Sequence, residues 1–254
     1  MVRGELTWFC VGLCALSFLV RAGIAQEHKG PEWSYNGNDG PDHWGDLDRN
    51  FETCKMGRHQ SPIDIRTTKK SDLPAIQFDY QATPLHIVNN GHTVQINYAP
   101  GSFITVGDKR YELKQFHFHH PSEEKINGSG FAMVAHLVHA DPGGNLAVVA
   151  VLLEASGANQ LIESLWNHLP RQPGPEQKHD GVTINVASLV PADHGYFSFS
   201  GSLTTPPCSE NVRWFVLKTP TPISQDQADA FAKIYPRNAR PPQALNGREV
   251  LESN

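Results

Sequence analysis

The sequence has few cysteines, few methionines and little charge of either sign. Charged residues make up 19% of its 254 residues and the formal net charge is −5, so no basic surface of the kind that binds nucleic acid is expected. Beyond the first 25 residues, no apolar run approaches the ~20 residues that a membrane span requires. The chain has no internal repeat, its hydrophobic fraction of 39% is typical of globular proteins, and nothing in it indicates an oligomeric state. One globular domain without a nucleic-acid partner is therefore expected.

The first 25 residues differ in character from the rest of the chain. Arg3 precedes an uncharged apolar run from Leu6 to Val20, and Ala25 closes a small-residue pattern typical of a cleavage site. This pattern predicts a secretory signal peptide over residues 1–25 and a single domain over residues 26–254. The protein is then secreted or periplasmic, with no membrane span in the mature chain, and an uncleaved N-terminal anchor is the alternative.

Cysteine usage agrees with an exported protein. Cys10 and Cys14 lie in the predicted signal peptide, which leaves Cys54 and Cys208 as a single pair in the mature chain. Because exported proteins fold in oxidising compartments, we expect a disulfide between these two residues. Two unpaired thiols are the alternative.

Most of the mature sequence predicts β-strands. Short apolar alternations lie between Gly, Pro and Asn in the segments LHIV, TVQINY, SFITV, FAMVAHLV, LAVVAVLLE and VRWFVLK. Helical spacing occurs only over residues 159–169, which Pro170 ends, and over residues 224–235, which open with Ser224 and Gln227 as a capping box. The stretch 170–181 predicts a loop. The expected fold is mainly β with short helices.

The segment QFHFHHPSE, residues 115–123, places three histidines within four positions. In a strand alternate side chains share a face, so His117 and His119 lie on one face and two phenylalanines on the other. The segment FAMVAHLVHA adds His136 and His139 on opposite faces of a second strand, so only one of them can join the first pair. Three neutral imidazoles around one open position are typical of a catalytic zinc site, although copper and iron also accept three nitrogens.

Five motifs together carry a family resemblance: QSPIDI, NNGH, QFHFHHPSE, AHLVH and GSLTTPPC. They resemble those of an exported, bacterial-type α-class carbonic anhydrase, over residues 33–248. The resemblance implies a large, twisted, mostly antiparallel sheet with a conical active-site cleft and zinc at its floor. It also implies reversible hydration of carbon dioxide to bicarbonate and a proton, through attack by a zinc-bound hydroxide.

The resemblance also selects the zinc ligands from the histidines of the two strands. It implies His117, His119 and His136 as the ligands. It leaves His120 and His139 outside the site, as ordinary polar or buried histidines. This selection agrees with the strand-face argument, which allowed only one histidine of the second strand to join.

The resemblance implies partners for the second nitrogen of each ligand. Gln115 matches the partner of the first ligand, and a backbone carbonyl near Gly247 is expected for the second. The third ligand usually has a glutamate two positions before it, where this chain has Val134. Because a buried unpaired N–H costs about 1–3 kcal/mol, we expect weaker zinc retention than in relatives. Glu124, where relatives commonly carry histidine, has no assigned role.

The resemblance further assigns residues that act on the reaction. Glu123 and Thr204 match a pair that orients the zinc-bound hydroxide, and His92, after an Asn-Gly turn, matches the group that exports the proton. The polar positions that hold water between metal and His92 are matched by Tyr35, Asn90 and Gln95. The apolar wall, suited to a small uncharged substrate, is matched by Val138, Val148, Leu203 and Trp214.

Two other functions fit parts of this pattern. The first is a binding or structural protein that kept the fold and lost catalysis, which the missing glutamate beside the third histidine favours. The second is a cupin, because His117, His119 and Glu123 fit most of that barrel's first metal motif with glutamate as a ligand. Tyr111 occupies the glycine position expected before the first histidine, however, and a second cupin motif is not evident.

Overall fold

The structure is a computed structural model that describes Met1 and residues 32–254. The predicted signal peptide over residues 1–25 lies, apart from Met1, outside the described residues. Within the described part of the chain, no helix is both long enough and apolar enough to cross a membrane.

The described residues form fifteen strands and four short α-helices, so the expectation of a mainly β fold with short helices is confirmed. The strands are β1 (Asp64–Ile65), β2 (Lys69–Ser71), β3 (Ile76–Asp79), β4 (Thr83–Asn89), β5 (Val94–Asn97), β6 (Phe103–Val106), β7 (Lys109–His119), β8 (Lys125–Ile126), β9 (Met133–Ala140), β10 (Leu146–Ala155), β11 (Gln177–Ile184), β12 (Tyr196–Ser202), β13 (Glu210–Leu217), β14 (Thr221–Ile223) and β15 (Leu251–Ser253). The helices are α1 (Trp44–Leu47), α2 (Thr53–Met56), α3 (Gln160–Trp166) and α4 (Gln225–Ala232). Short 3₁₀ turns occur at Gly37–Asp39, Arg49–Phe51 and Val186–Leu189.

Thirteen of the described strands belong to one mixed sheet. Its main path runs β11-β4-β5-β7-β9-β10-β13-β12-β15-β2, with β3, β6 and β14 attached beside it. Within this sheet β10 pairs in parallel with β13 and β14, and β15 with β2, whereas the other pairs are antiparallel. The prediction of a large, mostly antiparallel sheet is therefore confirmed. A separate parallel pair joins β1 and β8.

The alternation of β7 separates the main core from the face that carries histidines. Phe116 and Phe118 are fully buried in the largest hydrophobic cluster, where the Phe118 ring contacts Trp166 of α3 and Phe231 of α4. The two helices thus cover the apolar face of the sheet. His117 and His119 lie on the opposite face, as the period of two in this segment predicts.

The two predicted helices are present and have side-chain caps. In α4, Ser224 accepts a hydrogen bond from the backbone N–H of Gln227, and the Gln227 side chain accepts one from the Ser224 N–H, which confirms the capping box. In α3, Asn159 accepts from the backbone N–H of Ile162. The α3 helix ends at Trp166, so the prediction that it continues to residue 169 was too long.

The prediction of a loop over residues 170–181 is wrong in its second half, where β11 begins. This strand pairs with β4 at one end of the sheet, and most of its side chains are exposed. β11 forms backbone hydrogen bonds with one neighbour, and most of its side chains stay in water instead of packing on the core. Apolar alternation is therefore absent, and the sequence pattern gives no strand signal there.

The disulfide between Cys54 and Cys208 is present, as predicted. It joins α2 to the loop between β12 and β13 and packs in a small apolar cluster around Trp44. Both cysteines are buried.

Candidate active site

Two adjacent antiparallel strands bring three histidines together. His117 of β7 lies directly opposite His136 of β9, and His119 lies one pleat further along the same face. One nitrogen from each ring lies within 4.8 Å of the others. His139 is on the opposite face of β9, where its Nε2 lies 2.8 Å from the Tyr80 hydroxyl in the core. Within the described residues, these three histidines are the group that could hold a metal ion.

The hydrogen bonds of the three rings leave one nitrogen of each ring available for a metal. The Nδ1 of His117 is 2.8 Å from Oε1 of Gln115, and the Nδ1 of His119 is 2.7 Å from the carbonyl oxygen of Asn238. His136 uses Nε2 for its hydrogen bonds. The Nε2 of His119 is buried and has no hydrogen-bond partner in the described structure. A buried lone pair without a partner, beside two further imidazoles, fits a zinc ion with three nitrogen ligands.

The structure corrects the expectation that His136 lacks a supporting carboxylate. Both carboxylate oxygens of Glu124 lie close to Nε2 of His136, at 3.1 and 3.2 Å, and Glu124 is fully buried. Glu124 lies in the turn between β7 and β8, and this turn packs against β9. The N–H that Val134 cannot satisfy is therefore paired, and the physical basis for expecting weaker zinc retention is removed.

Asn238 supports His119 in place of the expected carbonyl near Gly247. Its carbonyl oxygen accepts the His119 hydrogen bond, and its side chain joins three further backbone groups. The Oδ1 accepts from the N–H of His120, and Nδ2 donates to the carbonyls of His92 and Phe118. One asparagine thus fixes the end of β7 relative to the turn that carries His92.

Burial and the neighbouring charges set the protonation of the three rings. Burial lowers the pKa of His117 to about 3, with a further contribution from His136, and lowers that of His119 well below its usual range. Burial acts in the same direction on His136, but the charge and hydrogen bond of Glu124 raise the pKa of His136 above its ordinary value. His117 and His119 are thus neutral, in the form that binds a metal.

Glu123 lies beneath the three histidines with its carboxyl fully buried. Its Oε1 accepts a hydrogen bond from the backbone N–H of Arg240 over 2.8 Å. Burial raises the pKa of Glu123 to about 8, while the charge of His136 and a hydrogen bond with the Thr204 hydroxyl act in the opposite direction. Oε2 of Glu123 is buried and has no hydrogen-bond partner among the described residues. A dication at the three histidines would favour the ionised carboxylate.

The Arg240 side chain is a buried charge behind this carboxyl. Its guanidinium donates to the carbonyls of Cys54 and Ser61 and to Oε1 of Gln60. Burial lowers the pKa of Arg240 to about 10, so the group stays charged at neutral pH. Arg240 therefore connects the backbone beside the disulfide to the segment that holds Glu123.

His92 lies at the turn between β4 and β5 and is half-buried. Its ring stacks on Trp33, with centroids 3.7 Å apart and an interplanar angle of 6°. Burial lowers the pKa of His92 from its ordinary value. Gly91 in this turn has a φ of +92°, a backbone conformation that favours glycine.

A cleft of about 270 Å³ opens above the three histidines. Glu123 lies beneath the cleft. Apart from the two disulfide cysteines, the other site residues assigned from sequence line the cleft. The polar side of the cleft includes Tyr35, Asn90, His92, Gln95 and Gln115. The apolar side includes Val138, Val148, Leu203 and Trp214, with Thr204 beside them. The cleft thus has one polar and one apolar wall that meet at the histidines.

Four residues of the site were missed or left without a role by sequence reasoning. Glu124, Asn238 and Arg240 act through turns or backbone groups that come from distant parts of the chain, and local periodicity carries no signal for such contacts. Trp33 had only a weak signal, as one of the aromatic residues at the start of the predicted domain. Glu124, Asn238 and Trp33 each contact a histidine that lines the cleft, and Arg240 holds Glu123 beneath it.

Two buried imidazoles and a half-buried third, at the meeting point of a polar and an apolar wall, form the kind of site in which a metalloenzyme holds its metal through three nitrogen ligands. A family model described as eukaryotic-type carbonic anhydrase matches residues 39–254, and the chain belongs to this family. Family members of the α class use zinc. This result does not favour the cupin or the non-catalytic binding protein as alternatives.

Individual relatives support the same family. The chain is 43% identical over 226 residues to a carbonic anhydrase of Nostoc sp., covering 87% of this chain and 86% of the relative. It is 44% identical over 222 residues to a carbonic anhydrase of Neisseria gonorrhoeae, with 87% of each chain covered. The solved structure of an α-carbonic anhydrase from Thermovibrio ammonificans, in complex with the inhibitor sulfanilamide, is similar with a TM-score of 0.84 and 41% identity. That match covers 87% of this chain and 99% of the other.

Proposed function

We propose that the protein catalyses the reversible hydration of carbon dioxide to bicarbonate and a proton, with zinc as its cofactor. The observation that carries the proposal is the group of three histidines, two buried and one half-buried, with one nitrogen of each ring left for a metal. The family membership and the two-sided cleft support the same reaction.

In this proposal His117, His119 and His136 hold the zinc ion. Bound zinc supplies Lewis acidity that lowers the pKa of a coordinated water to about 7, the established value for carbonic anhydrases as a class. The side chains of Gln115 and Glu124 and the carbonyl of Asn238 hold the second nitrogen of each ring, and so fix the direction in which each lone pair points.

Glu123 and Thr204 orient the nucleophilic oxygen. In this proposal the free Oε2 of Glu123 accepts the hydrogen of the Thr204 hydroxyl, so that the threonine oxygen is left to accept a hydrogen bond from the cleft. The N–H of Arg240 occupies the other carboxylate oxygen, which limits how Glu123 can turn. The contribution of this pair is one of positioning.

The apolar wall binds carbon dioxide and excludes water beside the reacting oxygen. A small, linear and uncharged molecule leaves no polar group unsatisfied against Val138, Val148, Leu203 and Trp214. The indole N–H of Trp214 donates to the carbonyl of Ser202, so this ring presents only carbon to the cleft.

His92 transfers the proton between the cleft and bulk solvent. The imidazole is half-buried, lies at the polar wall and stacks on Trp33. Tyr35, Asn90 and Gln95 hold the solvent between His92 and the metal site. An imidazole suits this role because its proton is exchanged near neutral pH.

We further propose export of the protein, with a signal peptide over residues 1–25 and one catalytic domain over residues 26–254. The disulfide between Cys54 and Cys208 supports an oxidising compartment, either the periplasm or the extracellular space.

The test of the proposed function combines zinc analysis with a carbon dioxide hydration assay. His119→Ala should lose both bound zinc and activity, because one of three ligands is removed. His120→Ala is the matched control, since this neighbouring histidine faces away from the metal group and should keep both. A zinc-loaded wild-type protein without hydration activity would contradict the proposal.

A further inference from the structure

A line of hydrogen-bonded side chains leads from the cleft to the edge of the sheet. Gln95, in the polar wall, donates through Nε2 to Oδ1 of Asn97 over 2.6 Å. Asn97 donates through Nδ2 to Oε1 of Glu176 over 2.7 Å. The second carboxylate oxygen of Glu176 lies 3.7 Å from Nδ1 of His86 and 3.8 Å from Nζ of Lys178. The line thus ends on a carboxylate with a cationic side chain and a histidine beside it.

The terminal carboxylate sets the orientation of both amides. An ionised carboxylate only accepts hydrogen bonds, so Asn97 must turn its NH₂ group toward Glu176 and its oxygen toward Gln95. Gln95 must then turn its own NH₂ group toward Asn97. The group of Gln95 that remains for the cleft is the oxygen Oε1, which is a hydrogen-bond acceptor.

The side-chain amide of Asn90, on the same polar wall, has the opposite orientation to that of Gln95. Its Oδ1 accepts from the backbone N–H groups of His92 and Thr93, each over 3.0 Å, which leaves Nδ2 as a donor. Gln95 also lies directly opposite the metal ligand His117 across β5 and β7. The wall between the metal site and His92 therefore offers an acceptor from one side chain and a donor from the other.

The segment that carries Glu176 is tied to the turn that carries His92. The N–H of Gly174 donates to the carbonyl of Asn89, and Nδ2 of Asn89 donates to the carbonyl of Pro170, each over 3.0 Å. Asn89 directly precedes the turn that contains His92. The carboxylate is therefore held at a defined position relative to the cleft, although its segment has no regular secondary structure before β11.

We propose that Glu176 and Asn97 are positioning residues for proton transfer. They hold Gln95 with Oε1 toward the cleft, and this acceptor, together with the donor of Asn90, directs the hydrogens of solvent between the metal site and His92. This inference rests on the proposed hydration activity. Glu176 does not line the cleft and acts on Gln95 through Asn97.

The test compares Glu176→Ala with Glu176→Gln in the zinc-loaded protein. Alanine removes the acceptor that fixes Asn97, whereas glutamine keeps an acceptor oxygen of nearly the same shape. In weakly buffered solution kcat should fall several-fold in the alanine variant and less in the glutamine variant. The value of kcat/KM should stay unchanged, because the hydration step does not depend on proton export. Added imidazole buffer should restore kcat, since it accepts the proton directly.

The control and a second measurement separate this role from a structural one. Glu154→Ala removes an exposed carboxylate elsewhere and should leave kcat unchanged, with zinc content equal in all variants. In metal-free protein, the NMR signals of the Gln95 NH₂ group should show a hydrogen-bonded proton in the wild type that is lost in Glu176→Ala. An unchanged kcat in Glu176→Ala, or an equal fall in kcat/KM, would overturn the proposal.

The two measurements also distinguish failure of the inference from failure of the proposed function. An inactive zinc-loaded wild type would refute the hydration activity. The NMR result still decides the amide orientation in that case, because it needs neither metal nor turnover. A Gln95 NH₂ group without a hydrogen bond in the wild type would overturn the positioning role by itself.

Discussion

Replacing Glu124 by alanine should weaken zinc binding without unfolding the protein. The structure shows this buried carboxylate at 3.1 and 3.2 Å from Nε2 of His136. Its removal leaves the ring free to rotate and its N–H without a partner on a face where Val134 offers only carbon. His136 then loses its fixed orientation, and its ring becomes a less basic ligand.

The size of the effect follows from two independent considerations. Loss of a partner behind a metal-bound histidine typically costs 10–100-fold in affinity, which corresponds to about 1.4–2.7 kcal/mol. A buried donor left without an acceptor costs about 1–3 kcal/mol. Because both figures describe the same lost contact, they are not added, and a fall of at least tenfold in zinc affinity is expected.

The measurement is competition between the protein and a zinc chelator of known affinity, with circular dichroism as a check on folding. Glu163→Ala removes an exposed carboxylate from α3 and is the control for charge alone. The double variant Glu124→Ala, Val134→Glu should recover much of the affinity, because residue 134 lies on the same face of β9 as His136. A Glu124→Ala protein whose zinc affinity changes less than threefold would refute the reasoning.

Three further predictions concern proton transfer and stability. His92→Ala should lower kcat roughly 10–100-fold in weak buffer, with unchanged zinc content and with rescue by imidazole. Trp33→Ala should raise the pKa of His92, because in the wild type burial disfavours the charged form of this ring. The acid limb of the pH profile of kcat should then move to higher pH, and an unmoved limb would contradict this. Replacing Cys54 and Cys208 by serine should cost about 5 kcal/mol on the chain-entropy model for a separation of 154 residues, measured by urea unfolding, and a loss below about 1 kcal/mol would contradict the model here.

The sequence predicted those parts of the site that depend on strand periodicity. His117 and His119 share a face because they are two residues apart, and the same rule excluded one of His136 and His139. Periodicity could not choose between those two, because the choice depends on the register between β7 and β9. The family resemblance supplied that choice, and the register places His136 opposite His117.

Contacts made by turns could not be predicted in the same way. Glu123 and Glu124 are adjacent in sequence, yet both are buried and approach His136 from the turn after β7. A pattern of alternate faces does not allow for two consecutive inward carboxylates. The carbonyl of Asn238, 119 residues away from His119 along the chain, depends on the tertiary fold alone.

The two ends of the large sheet have a consequence for the behaviour of the protein at high concentration. The path ends on β11 at one side and on β2 at the other. Both strands are polar: β2 contains Lys69 and Lys70, and β11 contains Lys178 among exposed side chains. Lysines on an edge strand disfavour pairing with the edge of another molecule. The absence of apolar alternation that concealed β11 in the sequence therefore also disfavours pairing of this edge with the edge of another molecule.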